Sequence, residues 1–162
     1  MRRLLVLALL ASSCSPATPD AVPPQTSPGA RSEARVIRVV DGDTVWVSDG
    51  GRETRVRLIG IDAPEERHPG RPGECFARQA TAFLRTLVRG EDVELETDEE
   101  RHDRFGRLLA YLWLGDQLVN ETLVAEGYAV AGTYPPNVRY QPRLDAAERR
   151  ARAEGWGMWG AC

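Results

Sequence analysis

A long alternation of apolar and polar residues, from Ala34 to Ile61, limits what this chain can fold into. The segment ARVIRVVDGDTVWVSDGGRETRVRLIGI alternates through most of its length. A period of two residues predicts strands that bury one face. Asp49-Gly50-Gly51 marks a hairpin turn inside the segment. We therefore predict three antiparallel strands, near residues 34–41, 43–48 and 52–60.

The rest of the chain combines helical and strand patterns. Apolar residues between Phe76 and Val88 recur at helical spacing, with Gly90 as a stop signal. A fourth and a fifth strand are predicted over 91–97 and 107–114, and two further helices over 118–126 and 142–154. This order predicts an α+β, mainly β fold, namely a five-stranded Greek-key barrel of the OB type with about three helices.

The first residues have the pattern of an export signal. Arg2 and Arg3 precede an apolar run from Leu4 to Ala11, which is too short to span a bilayer as a helix. The ending Ala11-Ser12-Ser13-Cys14 resembles a bacterial lipobox, which implies cleavage before Cys14 and attachment of lipid to that cysteine. The second interpretation is an ordinary secretory signal with an incidental cysteine.

The composition then changes twice along the chain. Residues 14–32 are rich in Pro, Ser, Thr and Ala, which is typical of a flexible tether. We thus expect a signal peptide over 1–13, a tether over 14–32 and one folded domain over 33–162. The protein is expected to cross the inner membrane and to be held at the cell envelope by its lipid, or else to be periplasmic or extracellular.

Cysteine usage fits an oxidising compartment. If Cys14 carries lipid, Cys75 and Cys162 remain, and an even pair outside the cytoplasm suggests a disulfide between the first helix and the C-terminus. Two free thiols are the alternative. A zinc site formed by these cysteines with His68 and His102 is disfavoured, because their spacing matches no compact ligand pattern.

The charge of the chain gives a mixed signal. The formal net charge is -3, and an acidic protein is not typical of nucleic-acid binding. The 21 basic residues are all Arg, however, and Arg is the side chain that forks onto phosphate with paired donors. The seven acidic residues within 90–100 predict a solvated strand face and an acidic loop.

Acidic residues are placed where predicted strands end. Asp41-Gly42-Asp43-Thr44 joins the first two strands, and turn chemistry alone would explain it. Asp62 and Glu65 follow the third strand, however, so Asp43 and Asp62 can meet at one end of the sheet. Two carboxylates with a backbone carbonyl would form a hard-oxygen site for a divalent cation.

Two Arg residues accompany these acids. Arg57 precedes Asp62 on the third strand, and Arg107 begins the fifth. One interpretation is a structural ion pair with one of these acids. The other is a phosphate diester, on which two Arg forks would neutralise the charge that grows during nucleophilic attack. Glu65 could then hold the attacking water or accept its proton.

The order of these motifs resembles the staphylococcal nuclease (thermonuclease) family over about residues 34–160. The motifs are VVDGDT, VRLIGIDAPE, DRFGRLLAYLW, LVNETLVAEGYA, TYPPN and GWGMW. The resemblance implies an OB-fold, calcium-dependent endonuclease that acts on DNA and RNA with little sequence preference and leaves 3′-phosphates. It also implies a nucleic-acid partner and a monomer. The alternative is a non-catalytic OB module that binds nucleic acid.

The resemblance also implies roles for individual residues. They are catalytic roles for Arg57, Glu65 and Arg107, Ca²⁺ ligands from the Asp43 and Asp62 carboxylates and the Ala63 carbonyl, and substrate contacts from Arg104, Phe105 and Tyr134. Three positions depart from the family pattern: Ala63 replaces Thr, and Phe105 and Gly132 replace Tyr. Loss of an aromatic ring is expected to weaken nucleotide binding, because base–aromatic stacking contributes about 1–3 kcal/mol per base.

Overall fold

The structure is a computed structural model that describes residues 29–67, 69–70 and 72–162. The predicted signal peptide, Cys14 and most of the predicted tether lie outside these residues, as does His68. Within the described part of the chain, helices are too short or too polar to cross a membrane. The interpretation of Cys14 as a lipid attachment site therefore stays a prediction.

Five strands form a closed barrel. They are β1 (Arg31–Val39), β2 (Thr44–Asp49), β3 (Arg52–Leu58), β5 (Asp92–Glu96) and β6 (Leu108–Leu114). β1 pairs antiparallel with β2 and with β5, β2 pairs with β3, and β5 pairs with β6. A parallel pairing of β3 with β6 closes the sheet. The predicted fold class, a mainly β OB-type barrel, is confirmed.

Short strands and helices surround the barrel. β4 (Ile61–Asp62) pairs with β8 (Val130–Ala131), and β7 (Gln117–Leu118) extends the main sheet beyond β6. The helices are α1 (Ala77–Val88), α2 (Val119–Ala125), α3 (Gln141–Glu154) and the four-residue α4 (Met158–Ala161). The two-residue strands and α4 were not predicted, because elements this short show no periodicity.

The core explains why these residues form these elements. Val36, Val45, Val56 and Leu58 alternate along β1, β2 and β3, and all four are fully buried. The apolar face of α1 covers the same core, where Leu84 is fully buried too. Burial on one side of each element therefore agrees with the period of two in the strands and with the helical period in α1.

Two strand boundaries differ from the prediction. β1 begins at Arg31, within the segment predicted as tether, because Arg31 pairs with Glu96 of β5 and Gly29 N–H donates to the Thr97 carbonyl at 3.0 Å. β3 ends at Leu58, before the predicted end at residue 60. Gly60 has φ of 78°, a left-handed conformation that turns the chain into β4.

The acidic segment 90–100 is not fully solvated, which corrects that expectation. Glu96 and Asp98 are 3% and 4% exposed. Glu96 accepts hydrogen bonds from Trp113 Nε1 and the Tyr140 hydroxyl, and its carboxylate pairs with Arg139 at 3.1 Å. Buried carboxylates require such partners, and these come from distant parts of the chain.

Candidate active site

The turn between β1 and β2 places the first acidic residue of the site. Asp43 N–H donates to Oδ1 of Asp41 at 3.1 Å, which holds the turn tight. A β-carbon on Gly42 would lie 2.6 Å from Cβ of Ala63 and 3.0 Å from Cβ of Ala80. The turn is thus packed directly on Ala63 and α1, and only glycine fits at its centre.

Arg57 joins the two predicted metal-binding carboxylates. Its Nη1 lies 2.7 Å from Oδ2 of Asp43 and its Nη2 lies 2.9 Å from Oδ1 of Asp62. Nη1 also donates to the carbonyl of Leu58 at 3.1 Å. The strand ends therefore bring Asp43, Arg57 and Asp62 together. The structural ion pair that the sequence left open is present, with both acids rather than one.

The carboxylate of Asp43 is buried and held by hydrogen bonds. Thr44 Oγ1 donates to Oδ1 at 3.0 Å, and the backbone N–H of Ala63 donates to Oδ2 at 3.0 Å. Burial raises the pKa of Asp43 to about 7, and the nearby Asp41 charge adds to that rise, whereas Arg57 and the Ala63 N–H oppose it. One guanidinium therefore does not fully balance the acids at this end of the barrel.

This donor set fits a hard divalent cation. One carboxylate oxygen of Asp43 and one of Asp62 each contact a terminal nitrogen of Arg57, so the two acids lie close to the same guanidinium. The N–H of Ala63 donates to Asp43, which places Ala63 beside them. Oxygen donors of this kind suit Ca²⁺, which also accepts water as a ligand. Within the described residues, the side chains of His, Cys, Asp and Glu do not form a group of three or more metal ligands, so the site offers two carboxylates. The cation would therefore keep water or substrate ligands.

An open pocket of about 500 Å³ lies beside the acids. Arg57, Arg107 and Tyr134 all line it. The parallel register places Val56 of β3 beside Leu108 of β6. Arg57 is the residue after Val56, and Arg107 is the residue before Leu108, so both lie next to this pair. Closure of the barrel thus brings the two predicted phosphate-binding Arg residues to the same pocket.

Arg107 is oriented by a turn that precedes β6. Its Nε lies 2.6 Å from Oδ2 of Asp103, and Oδ1 of Asp103 accepts the N–H groups of Phe105 and Arg107 at 2.9 Å. Burial alone would raise the pKa of Asp103, but the hydrogen bonds from Arg107 and Phe105 and the Arg107 charge lower it below its ordinary value. Asp103 therefore stays ionised and holds the guanidinium in one orientation.

Comparison with known proteins places this site in a family. The family model described as staphylococcal nuclease homologue matches residues 55–161. The thermonuclease of Staphylococcus hyicus is 40% identical over 125 residues, which cover 77% of this chain and 74% of that protein. The chain belongs to the staphylococcal nuclease family.

Further relatives agree with this assignment. The thermonuclease of Staphylococcus intermedius is 38% identical over 136 residues, which cover 83% of this chain and 81% of that protein. The SPbeta prophage-derived endonuclease YokF of Bacillus subtilis is 37% identical over 124 residues, which cover 75% of this chain and 42% of YokF. The matched part of YokF is therefore less than half of that longer protein.

Glu65 of this staphylococcal nuclease homologue lies in the exposed loop after β4. Its N–H donates to Oε2 of Glu74 at 3.0 Å, and its carbonyl accepts the N–H of Glu74 at 2.9 Å. Glu65 is not among the described residues that line the pocket of Arg57 and Arg107. Glu65 follows Ala63-Pro64 in the sequence. Its predicted role as base stays a prediction.

The predicted substrate contacts of this family member divide into two groups. Tyr134 lines the pocket and is about half exposed, whereas Phe105 is 69% exposed on the neighbouring loop. The guanidinium carbons of Arg104 and Arg107 lie 4.8 and 5.6 Å from the centre of the Phe105 ring. Arg104 and Phe105 are not among the described residues that line the pocket. They offer contacts beside the pocket rather than inside it.

Gly132 was predicted to depart from the family pattern by replacing a Tyr, and the structure shows which side chain lies beside it. A β-carbon on Gly132 would lie 2.4 to 2.8 Å from three atoms of the Tyr134 side chain. The side chain of Tyr134 therefore occupies the space beside Gly132. Burial raises the pKa of Tyr134, and the nearby Asp62 charge raises it further. Tyr134 thus stays protonated beside the acids as a hydroxyl donor.

The two cysteines of the folded domain form a disulfide in the structure. Cys75 precedes α1 and Cys162 ends the chain, and their Sγ atoms are bonded. The bond therefore joins the base of the Glu65 loop to the C-terminus. Because the two sulfur atoms are bonded to each other, the disfavoured zinc interpretation loses both cysteines as ligands. One of its histidines, His68, lies outside the described residues.

Sequence reasoning missed two residues that support the site. Asp103 orients Arg107, and Glu74 holds the backbone of Glu65. The DRFG sequence contained a signal for Asp103, because Asp followed by Gly three residues later is typical of a turn in which the Asp side chain accepts backbone N–H groups. No sequence pattern marked Glu74, which lies in an irregular Pro- and Gly-containing loop.

Proposed function

We propose that this protein is a calcium-dependent endonuclease that hydrolyses DNA and RNA with little sequence preference and leaves 3′-phosphates. The names of its relatives, thermonuclease and endonuclease, support nucleic acid as the substrate. One structural observation supports the mechanism above all. Two strand-end carboxylates contact the single guanidinium of Arg57, which lines the same pocket as Arg107.

The two Arg residues would bind the scissile phosphate. Each guanidinium offers several N–H donors in a fixed plane, so Arg57 can contact a phosphate oxygen while it keeps a contact with an acid. Arg107 is oriented by Asp103 through Nε, which leaves its terminal nitrogens for the phosphate. Together they would stabilise the negative charge that grows on phosphorus-bound oxygens as water attacks.

Glu65 would act on the attacking water. Water adds to phosphorus and gives a proton to Glu65, the bond from phosphorus to the 5′ oxygen breaks, and that oxygen takes a proton from solvent. The phosphate stays on the 3′ side of the break. When bound by Asp43, Asp62 and the Ala63 carbonyl, Ca²⁺ would supply further polarisation of a phosphate oxygen.

We propose, in addition, that the protein works outside the cytoplasm as a lipid-anchored monomer. The run from Leu4 to Ala11 and the lipobox-like ending at Cys14 support export and lipid attachment. Labelling of cells with a radioactive fatty acid should tag the protein, and Cys14→Ser should abolish the label. Sedimentation of the detergent-solubilised protein should give the mass of one chain. An unlabelled, freely secreted protein would contradict the anchor.

The test of the nuclease proposal uses end-labelled single-stranded DNA. The purified protein is incubated with Ca²⁺, with a chelator, and as the Glu65→Gln variant with Ca²⁺. We expect degradation with Ca²⁺ only, and a rate at least about 10²-fold lower in the variant, because a general base contributes about 10²–10⁴-fold. Polynucleotide kinase should label the products directly, since cleavage that leaves 3′-phosphates creates 5′-hydroxyls.

The binding-module alternative has its own outcome in this experiment. Intact DNA under all three conditions, from a protein with a cooperative unfolding transition, would refute catalysis. A gel shift without cleavage would then favour the non-catalytic module. The structure favours catalysis, because Asp43, Arg57 and Asp62 form one contact network beside Arg107, and simple binding of nucleic acid does not need paired acids at its centre.

A further inference from the structure

We propose that Glu74 is a positioning residue for Glu65, and that the Cys75–Cys162 disulfide keeps Glu74 in place. The inference rests on the proposed function, because the chemical role of Glu65 is part of that proposal. It concerns a different question, namely what holds the backbone of Glu65 in place although Glu65 lies in an exposed loop.

Glu65 and Glu74 close the base of this loop by two reciprocal contacts. The N–H of Glu65 donates to Oε2 of Glu74 at 3.0 Å, and the N–H of Glu74 donates to the carbonyl of Glu65 at 2.9 Å. Residues 66–73 extend between them. The backbone of Glu65 is therefore fixed relative to Glu74, and any movement of Glu74 would move Glu65.

Glu74 is followed directly by residues that are cross-linked or packed in the domain. The next residue, Cys75, is bonded to Cys162. Phe76 follows, with its ring centroid 5.3 Å from that of Tyr128, and α1 begins at Ala77. Tyr128 in turn stacks on Phe83 of α1 at 4.1 Å. Glu74 thus lies at the junction of a disulfide, an aromatic cluster and a helix.

The other side of Glu65 is attached to the acidic pair. Asp62 contacts Arg57, and the N–H of Ala63 donates to Asp43 at 3.0 Å. Pro64 then leads directly to Glu65, with a restricted backbone angle. Glu65 is therefore held between the cation-binding pair on one side and Glu74 on the other. Removal of the Glu74 side chain would break the hydrogen bond that its carboxylate accepts from the N–H of Glu65.

The expected effect is on position rather than on stability. Glu65 and Glu74 are both exposed, so their hydrogen bond contributes little to the stability of the fold. A catalytic group displaced by about 1 Å can nevertheless lose about 10²-fold in rate. A positioning role therefore predicts a large loss in kcat with a small change in the unfolding midpoint.

The test is a double-mutant cycle in the full-length, oxidised protein with saturating Ca²⁺. Steady-state kinetics on an oligonucleotide are measured for Glu74→Ala, Glu65→Gln and the double variant. Glu53→Ala is the matched control, because Glu53 is an exposed acid at the distant β2–β3 hairpin. We expect Glu74→Ala to lower kcat about 10- to 100-fold with KM changed less than about threefold. In the Glu65→Gln background the same change should cause no further loss.

Two further measurements separate positioning from a general loss of structure. Glu74→Gln keeps a carbonyl oxygen as acceptor for the Glu65 N–H, so its kcat should return to within about fivefold of the wild type. Reduction of the disulfide should lower kcat of the wild type, but should have little effect on Glu74→Ala, because both changes act through the same contact.

The outcomes distinguish this inference from the proposed function. An inactive wild-type protein would refute both. An active protein that loses activity in Glu65→Gln but not in Glu74→Ala would refute the role of Glu74 alone. Independent, multiplying losses in the double variant would also overturn it, as would an effect confined to KM. Full activity of the reduced wild type would remove the disulfide from the inference.

Discussion

At the scale of single residues, the site depends on charged side chains whose orientation is fixed by contacts with other residues. Arg57 spans Asp43 and Asp62 with its two terminal nitrogens, and Arg107 is oriented by Asp103. A lysine could supply the same charge at either position but not the planar set of donors. Direction of the donors, rather than net charge, would therefore explain how an acidic chain binds a phosphate in the proposed function.

A lysine at position 107 tests this argument. Arg107→Lys keeps the positive charge but cannot contact Asp103 and a phosphate through separate nitrogens. We expect kcat to fall by about 10²-fold, because removal of one preorganised donor costs about that much, while the unfolding midpoint changes little. Steady-state kinetics with Arg85→Lys as control, an Arg on the exposed face of α1, would check the result. Unchanged kinetics would contradict a phosphate role for Arg107.

Asp103 should give the protein a specific dependence of stability on pH. Its pKa is lowered in the folded state, so the Asp103 contribution is complete above its unfolded pKa of about 3.9 and is lost as pH falls through the folded value. Asp103→Asn should lower the free energy of unfolding by about 1–2 kcal/mol at pH 7.

Urea unfolding of both proteins at several pH values would measure this difference. The gap between the wild type and Asp103→Asn should be constant from pH 6 to 8. It should shrink as pH falls below about 4 and should vanish below the lowered folded pKa of Asp103, where both side chains are neutral. A gap that grows on acidification would have the wrong sign and would contradict the lowered pKa.

At the scale of elements, β5 has a second function besides pairing in the barrel. Glu96 joins β5 to β6 through Trp113, to β1 through Arg31 at 3.5 Å, and to the segment before α3 through Arg139 and Tyr140. A single buried carboxylate thus links three elements that are distant in the chain. Such a network stabilises the fold only while all its members are paired.

Removal of this carboxylate should be costly. Glu96→Ala would remove the acceptor of the Trp113 N–H and the Tyr140 hydroxyl. Arg31 and Arg139 would lose one carboxylate each and keep their contacts with Glu94 and Asp98. We expect the free energy of unfolding to fall by about 3–5 kcal/mol. Denaturant unfolding would measure it, with Glu99→Ala as the control, since Glu99 is an exposed acid in the following loop. A loss below about 1 kcal/mol would show that the network is not cooperative.

The same elements show why prediction from sequence succeeded for part of the fold. The alternation that runs from β1 to β3 depends on which side of a strand is buried, and this is a local pattern. The burial of Glu96 and Asp98 depends on Arg139 and Tyr140, which are distant in the sequence. The prediction of a solvated segment considered only the local charge, and it was wrong for Glu96 and Asp98.

The candidate site shows the same division. Strand ends can be located from the sequence, so the meeting of Asp43 with Asp62 could be predicted, and the shared pocket of Arg57 and Arg107 follows from the closed barrel. Which partner Arg57 contacts depends on side-chain conformation, so the choice between ion pair and phosphate stayed open. Glu74 was missed because its contact with Glu65 joins two irregular segments, for which no periodicity exists.

At the scale of the whole molecule, the disulfide closes a long segment of the folded domain. Cys75 and Cys162 are separated by 87 residues, and a cross-link of this kind restricts the unfolded chain more than the folded one. Replacement of both cysteines by serine should lower the free energy of unfolding by about 2–4 kcal/mol. Urea unfolding with and without reductant would test it.

The wild type in reductant serves as the internal control for that experiment. It should unfold at the same urea concentration as the doubly substituted variant, because neither contains the bond. If the oxidised wild type and the variant unfold together, the disulfide does not contribute to stability. Equal unfolding slopes of the two proteins would show that the change does not arise from a different exposed surface.

The parallel pairing of β3 with β6 also determines when the site comes into existence. Val56 and Leu108 become neighbours only as the barrel closes, and Arg57 and Arg107 reach a common pocket only then. Non-local pairings of this kind form late relative to local hairpins and helices. A newly made chain would therefore contain every residue of the site before Arg57 and Arg107 share a pocket.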